Sequence, residues 1–248
     1  MLSPYRQLAR ALDPCTLARD CGIEPDAIQS QLLTTTSRKT LVLCCRQWGK
    51  STITAIVALW EALYAAPAMV IVISPSQPQS TELFKKIRTA WQQLTGAPAA
   101  EQESLTRMEL SNGSRIISLP GSEKTVRGYS AASLVIMDEA ARVPDELLQA
   151  VRPMLATTSG RFIALSTPAG RRGWLYEQWE RGEDWERFSV KGVDCPRISK
   201  EFLAEELQTF GPMRFAEEYE CAFIDQNTSA FSTALIEQAL RDDFSPFL

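Results

Sequence analysis

Gly49-Lys50-Ser51 sets a flexible backbone position, a cation and a hydroxyl side by side, directly after the apolar run Leu41-Val42-Leu43-Cys44-Cys45. Where such a triplet opens a helix, the glycine lets the chain turn close to an anion and the first helical amides point at it. The lysine then neutralises β- and γ-phosphate oxygens, and the serine hydroxyl is a hard ligand suited to Mg²⁺. Gln47, Trp48 and Thr52 flank the triplet and complete the candidate nucleotide loop. A second cluster, Asp138-Glu139, ends another apolar run, Leu134-Val135-Ile136-Met137. Two adjacent carboxylates at a strand end suit two tasks: Asp138 joins Ser51 at the metal, and Glu139 orients and deprotonates an attacking water.

Each cluster also has a plainer reading. Gly-Lys-Ser is a common way to start a helix, and acids often end a strand at solvent. The phosphate-loop pattern is G-x-x-x-x-G-K-[S/T], and Cys44 stands where its first glycine would be, so the match is degenerate. The two clusters in this order, each on a buried strand, favour a triphosphate-hydrolysing site over two coincidences. Ser166-Thr167-Pro168 follows a third such run and reads either as a γ-phosphate sensor on a neighbouring strand or as a capped turn before proline.

The elements that must position these residues alternate in type. Helices are expected from Lys50 to Ala65, from Ser80 to Leu94 and near Pro144–Leu155. Strands are expected at Leu41–Cys45, Met69–Ile73, Leu134–Met137, Arg161–Leu165 and Arg187–Val190. Asn112-Gly113 between Thr106–Leu110 and Arg115–Leu119 signals a β-hairpin. This succession implies an α/β doubly wound, mainly parallel sheet with helices on both faces. Asp13-Pro14 and Gly22 bracket one of several short N-terminal helices, and Lys200–Phe210 and Pro212–Tyr219 read as a helix pair. Trp174 and Trp179 sit on an expected helix as core residues.

Composition narrows the alternatives. The chain has no histidine, and its six cysteines lack zinc-binding spacing, which excludes histidine-ligated metals and triads with a histidine base. No apolar run reaches the ~20 residues of a membrane span, and the first ten residues lack an apolar signal core. A net charge of −4 argues against a static grip on nucleic acid. Any such contact falls to local basic clusters, Lys85-Lys86-Arg88 or Arg171-Arg172.

In order and flanks, these motifs resemble the ATPase part of the large terminase subunit of tailed bacteriophages. Arg46-Gln47-Trp48-Gly49-Lys50-Ser51 is similar to that family's phosphate loop, in which the leading glycine is commonly absent. Ile73-Ser74-Pro75-Ser76 with Gln79-Ser80, Arg127-Gly128, Asp138-Glu139-Ala140-Ala141, Ser166-Thr167-Pro168 and Glu218–Phe223 also resemble family segments. The resemblance implies a RecA-like P-loop ATPase with a β-hairpin insertion, using ATP and Mg²⁺, with Ser166 and Thr167 as a coupling motif. It implies Gln29 as an adenine contact, although Ile28 stands where the family has tryptophan. Either Arg46, in its own subunit, or Arg127, reaching a neighbour in a ring, is the arginine finger, and Arg127 is favoured. The implied partners are double-stranded DNA, the portal protein and the small terminase subunit, in the cytoplasm of the bacterial host. The expected organisation is residues 1–35 as an N-terminal helical segment, 36–224 as the ATPase domain and 225–248 as a linker and the start of a missing nuclease domain, with no nuclease activity expected in the chain. The competing readings are another P-loop nucleic-acid translocase and a nucleotide-regulated assembly module.

Overall fold

The apolar runs become neighbouring strands of one sheet. The protein's structure, a computed structural model, describes residues 3–122 and 126–225, so the linker expected from Asp225 lies outside it beyond its first residue. Eight strands are described: β1 (Lys39–Cys44), β2 (Met69–Ser74), β3 (Ala100–Glu103), β4 (Arg107–Leu110), β5 (Arg115–Pro120), β6 (Leu134–Asp138), β7 (Arg161–Ser166) and β8 (Glu186–Val190). Their order across the sheet is β3-β4-β5-β2-β6-β7-β1-β8. From β5 to β8 every neighbouring pair is parallel, while β3 and β4 extend the sheet antiparallel. The expected hairpin is therefore β4 and β5, and β5 is itself a full member of the parallel sheet beside β2.

Side-chain alternation along the strands divides the interior into two layers. Val42, Cys44, Val70, Val72, Ile136, Ile163 and Leu165 face one way. They pack with α4 (Lys50–Tyr64) and α5 (Gln77–Gln93), and the same layer includes Leu17 of α2 (Pro14–Asp20) and Leu32 of α3 (Ala27–Thr34). Leu41, Leu43, Ile71, Ile73, Val135, Met137, Phe162 and Ala164 face the other way, against Leu147 and Val151 of α6 (Glu146–Val151) and Trp174 and Leu175 of α7 (Gly173–Arg181). Each fully buried aliphatic side chain contributes roughly 1.5–3 kcal/mol, enough to hold the strand ends in fixed positions. Trp174 is a core residue, stacked on Phe162 at 6.2 Å between ring centroids.

Local chemistry sets the helix ends. Asp13 accepts from the Cys15 amide with Pro14 in the first turn of α2, as its sequence foretells. α5 starts three residues earlier than expected because Ser76 is its N-cap, with Pro78 in the first turn. A short α1 (Pro4–Leu12) precedes these elements. α8 (Lys200–Tyr219) breaks at Gly211-Pro212, giving the two helical halves that the sequence predicts. All six cysteines are free thiols. No helix among the described residues is long and apolar enough to cross a membrane.

Candidate nucleotide site

The register of the sheet brings three motif-bearing strand ends into a row. Leu43 on β1 lies opposite Ser166 on β7, and Asp138 on β6 lies opposite Leu165. β7 therefore sits between the phosphate-loop strand and the acidic strand, with Ser166-Thr167 between the two. Ligands of parallel sheets collect at this C-terminal edge, where helix N-termini converge.

Gly49 makes the loop possible. It caps α4 in the left-handed region at φ 90°, and a Cβ there would meet Gln29 Nε2 at 3.4 Å. Gln47 is also left-handed, at φ 62°. The loop is braced from behind. Gln29 Nε2 donates to the Trp48 carbonyl at 3.0 Å, and the Trp48 indole nitrogen donates to Asp26 at 3.1 Å. Arg197, in the loop after β8, donates to Asp26 at 3.0 Å and also to the Trp48 carbonyl. Arg46, also in the loop, bonds Glu218 on α8 at 2.8 Å.

Lys50, the first residue of α4, pairs with Glu139 Oε1. Burial pulls its ammonium down, but the charges of Asp138 and Glu139 outweigh this and hold it above its usual range. Ser51 Oγ lies 3.5 Å from Asp138 Oδ2. Burial pushes the Asp138 carboxyl up, opposed by Lys50 and assisted by Glu139. Glu139, the residue directly after β6, occupies the left-handed region at φ 52°. Its Oε2 accepts from Arg142 Nη1 at 2.8 Å, and the same nitrogen donates to Thr167 Oγ1 at 2.9 Å.

Lys50, Ser51, Glu139, Arg142 and Thr167 line a cleft of about 380 Å³ that also takes in Cys45, Arg46, Gln47, Gln79 and Lys86. Lys50 and Arg142 grip the one carboxylate, Glu139, while Arg46 and Lys86 line the same cleft, where their charges suit a polyanion. Ser51 and Asp138 supply hard oxygen donors of the kind Mg²⁺ takes. Among the described residues no group of three or more acidic, histidine or cysteine side chains forms a cage for a metal.

The structure thus gathers Arg46, Gln47, Trp48, Gly49, Lys50, Ser51, Glu139 and Thr167 at one cleft, with Asp138 and Ser166 immediately behind. Thr52 follows in the first turn of α4. Gln29 lies behind the loop, buried, with its amide engaged by Asp26 and Trp48. Arg127 is exposed and lines a separate cavity with Tyr129, Gln149 and Met154. Of the basic cluster on α5, Lys86 faces the cleft, while Arg88 pairs with Glu103. Sequence reasoning missed Arg142, Arg197 and the cleft-facing role of Gln79. Only Arg142 carried a readable signal, as a cation three residues after a candidate base.

Residues 41–238 match the family described as terminase large subunit, T4likevirus-type, N-terminal. The chain is 26% identical to the terminase large subunit of Thermus virus P23-45, over 85% of this chain and 51% of that protein. It therefore spans about half the length of the curated relatives it matches. Its fold is similar to the large terminase ATPase domain of Thermus phage P74-26, with a TM-score of 0.70 at 20% identity, covering 84% of this chain and 97% of that one. It is also similar to the large terminase of another thermophilic bacteriophage, in complex with ADP, with a TM-score of 0.65 at 10% identity, covering 80% and 53% of the two chains.

Proposed function

The chain belongs to the N-terminal, T4likevirus-type family of terminase large subunits, and from that premise we propose that it is an ATP-hydrolysing motor domain that drives double-stranded DNA into a procapsid. The observation that carries the reading is the convergence of Lys50, Ser51, Asp138 and Glu139 at one cleft on the C-terminal edge of a parallel sheet.

Lys50 is paired with Glu139. In the proposed reaction it exchanges that carboxylate for the β- and γ-phosphates, which frees Glu139 Oε1 to take a proton from the attacking water. Ser51 and Asp138 would hold Mg²⁺, whose charge neutralises the phosphate oxygens when it is bound. Arg127 lies outside its own subunit's cleft and is assigned to a neighbour's nucleotide in a homo-oligomeric ring. Arg46, tied to α8 through Glu218, is assigned to nucleotide sensing. Portal protein, small terminase subunit and duplex DNA are the proposed partners, in the bacterial cytoplasm, and Gln29 is the proposed adenine contact, reached only if its present bonds rearrange.

Magnesium-dependent ATP turnover at high protein concentration, with and without duplex DNA, tests the reading. The wild type is expected to hydrolyse ATP, and Glu139→Gln to bind nucleotide without turning it over. Failure of both proteins to bind ATP would refute the site.

A further inference from the structure

Glu139 has two oxygens and two cationic partners, and the partners differ in what ties them down. Lys50 holds Oε1 from the first turn of α4, where an arriving triphosphate competes for it. Arg142 holds Oε2 from the turn that follows β6. That turn, Ala140–Arg142, begins at the left-handed Glu139 and closes with the Arg142 amide donating to the Glu139 carbonyl at 2.8 Å. It is fastened to the end of β7 at two points: the Ala141 amide donates to Ser166 Oγ at 3.2 Å, and Arg142 Nη1 donates to Thr167 Oγ1 at 2.9 Å. Ser166 Oγ in turn donates to the Thr167 carbonyl at 2.6 Å.

We propose that Arg142 is the positioning residue for Glu139, fixing Oε2 against β7 so that Oε1, once Lys50 leaves it, points at the attacking water. The inference rests on the ATP-hydrolysis reading above and adds to it a residue that reaches the nucleotide only through Glu139. A carboxylate gripped at one oxygen by a planar guanidinium keeps its orientation when its other partner departs. A carboxylate held only by Lys50 would lose its orientation at the moment it is needed. The same guanidinium links the water-activating side chain to Thr167, so a change in the grip on Glu139 reaches the β7 end in a single hydrogen bond.

The test separates positioning from phosphate binding. Arg142→Ala, Arg142→Lys and Thr167→Val are compared with wild type for kcat, KM, thermal midpoint and direct binding of a fluorescent non-hydrolysable ATP analogue. Loss of a charge-assisted hydrogen bond on the base predicts a fall in kcat of about 10- to 150-fold for Arg142→Ala, with analogue affinity within about threefold of wild type. Arg142→Lys is expected to recover part of kcat, and Thr167→Val to lose less than Arg142→Ala. The proposal is overturned if Arg142→Ala weakens analogue binding by the factor it removes from kcat/KM, which would make Arg142 a phosphate ligand. It is equally overturned by an unchanged kcat, or by a loss of kcat that follows a collapse of the thermal midpoint in all three variants. A wild type that neither binds the analogue nor hydrolyses ATP would instead remove the underlying site reading, a result the binding measurement identifies by itself.

Discussion

Two cavities of nearly equal size sit at opposite ends of the same strands. The cleft at the C-terminal ends of β1 and β7 measures about 380 Å³ and holds Lys50, Glu139 and Arg142. The cavity at their N-terminal ends measures about 370 Å³ and is lined by Arg38, Lys39, Leu148, Arg152, Leu155, Phe162 and Trp185. Volume does not distinguish them, and the second is the more apolar. Charge does. The cleft opens on the N-terminus of the 15-residue helix α4 and sets Lys50 and Arg142 on one carboxylate, Glu139, whereas the other cavity brings Arg38, Lys39 and Arg152 together with no carboxylate in its lining. Left-handed non-glycine residues occur at both, Gln47 and Glu139 at the cleft and Ser159 at the other cavity. In the other cavity Lys39 lies over the Trp185 ring at 5.9 Å, an ordinary way to shelter an apolar surface. In a parallel sheet, polarity of direction rather than concavity marks the functional end.

The largest effects should fall on transition-state charge at the C-terminal end. Arg127→Ala is expected to lower turnover by ~10³–10⁵ if it supplies a neighbour's site. Mixing Arg127→Ala with Glu139→Gln subunits should then restore part of the activity that each lacks alone. No recovery at any mixing ratio would end the trans assignment. Glu139→Gln alone is expected to cost ~10²–10⁴ in kcat, the usual worth of a general base, with nucleotide binding kept. Matching changes at the opposite cavity, such as Arg152→Ala, should leave turnover within about twofold. A large loss there would break the contrast between the two ends.

How far the sequence disclosed this site follows from how its parts are distributed along the chain. Lys50 and Ser51 are contiguous with Gly49 and follow a fully apolar strand, so one short window contains the fold signal and the chemistry together. Asp138-Glu139 is the same case. Arg142, Arg197 and Lys86 come from a turn, a loop and a helix, and nothing local tells which way each points. The α5 cluster shows this directly: helical rotation sends Lys86 to the cleft and Arg88 to Glu103, so adjacent charges have separate duties. β3 was missed for a related reason. Ala100-Glu101-Gln102-Glu103 has no apolar alternation, and it becomes a strand only because β4 offers an edge to pair with.

The contrast can be sharpened from the other end by Gly160→Ala. Gly160 lines the second cavity, and a Cβ there would lie 2.4 Å from the Ala132 carbonyl and 2.8 Å from that of Ser133. Both obstacles are backbone of the segment that leads directly into β6, so that segment must shift. Overpacking of this kind costs about 1–3 kcal/mol, which for a chain of this length corresponds to a fall of several degrees in thermal midpoint. Affinity for a non-hydrolysable ATP analogue should be unchanged in the folded fraction. A loss of affinity with no loss of stability would mean that the two ends of the sheet are mechanically coupled.

The smallest expected effect has the opposite sign and belongs to the cleft. Burial holds the Asp138 carboxyl above its ordinary range, with Glu139 adding and Lys50 opposing. A raised folded-state pKa means that the fold binds this proton more tightly than the unfolded chain does. Below the unfolded pKa of about 3.9 both states are protonated and the group costs nothing. As pH rises through that value and on past the folded pKa, the unfolded chain ionises first, and stability falls to a lower plateau. Asp138→Asn removes that cost. At neutral pH the variant is therefore expected to be more stable than wild type, read as a rise in thermal midpoint, and the gain should vanish as pH approaches 3. Its magnesium-dependent turnover should be lost over the same neutral range. A variant that is less stable at neutral pH would show that the attraction of the nearby Lys50 charge for Asp138 outweighs its burial, and that this end of the sheet is held together by the charges it uses.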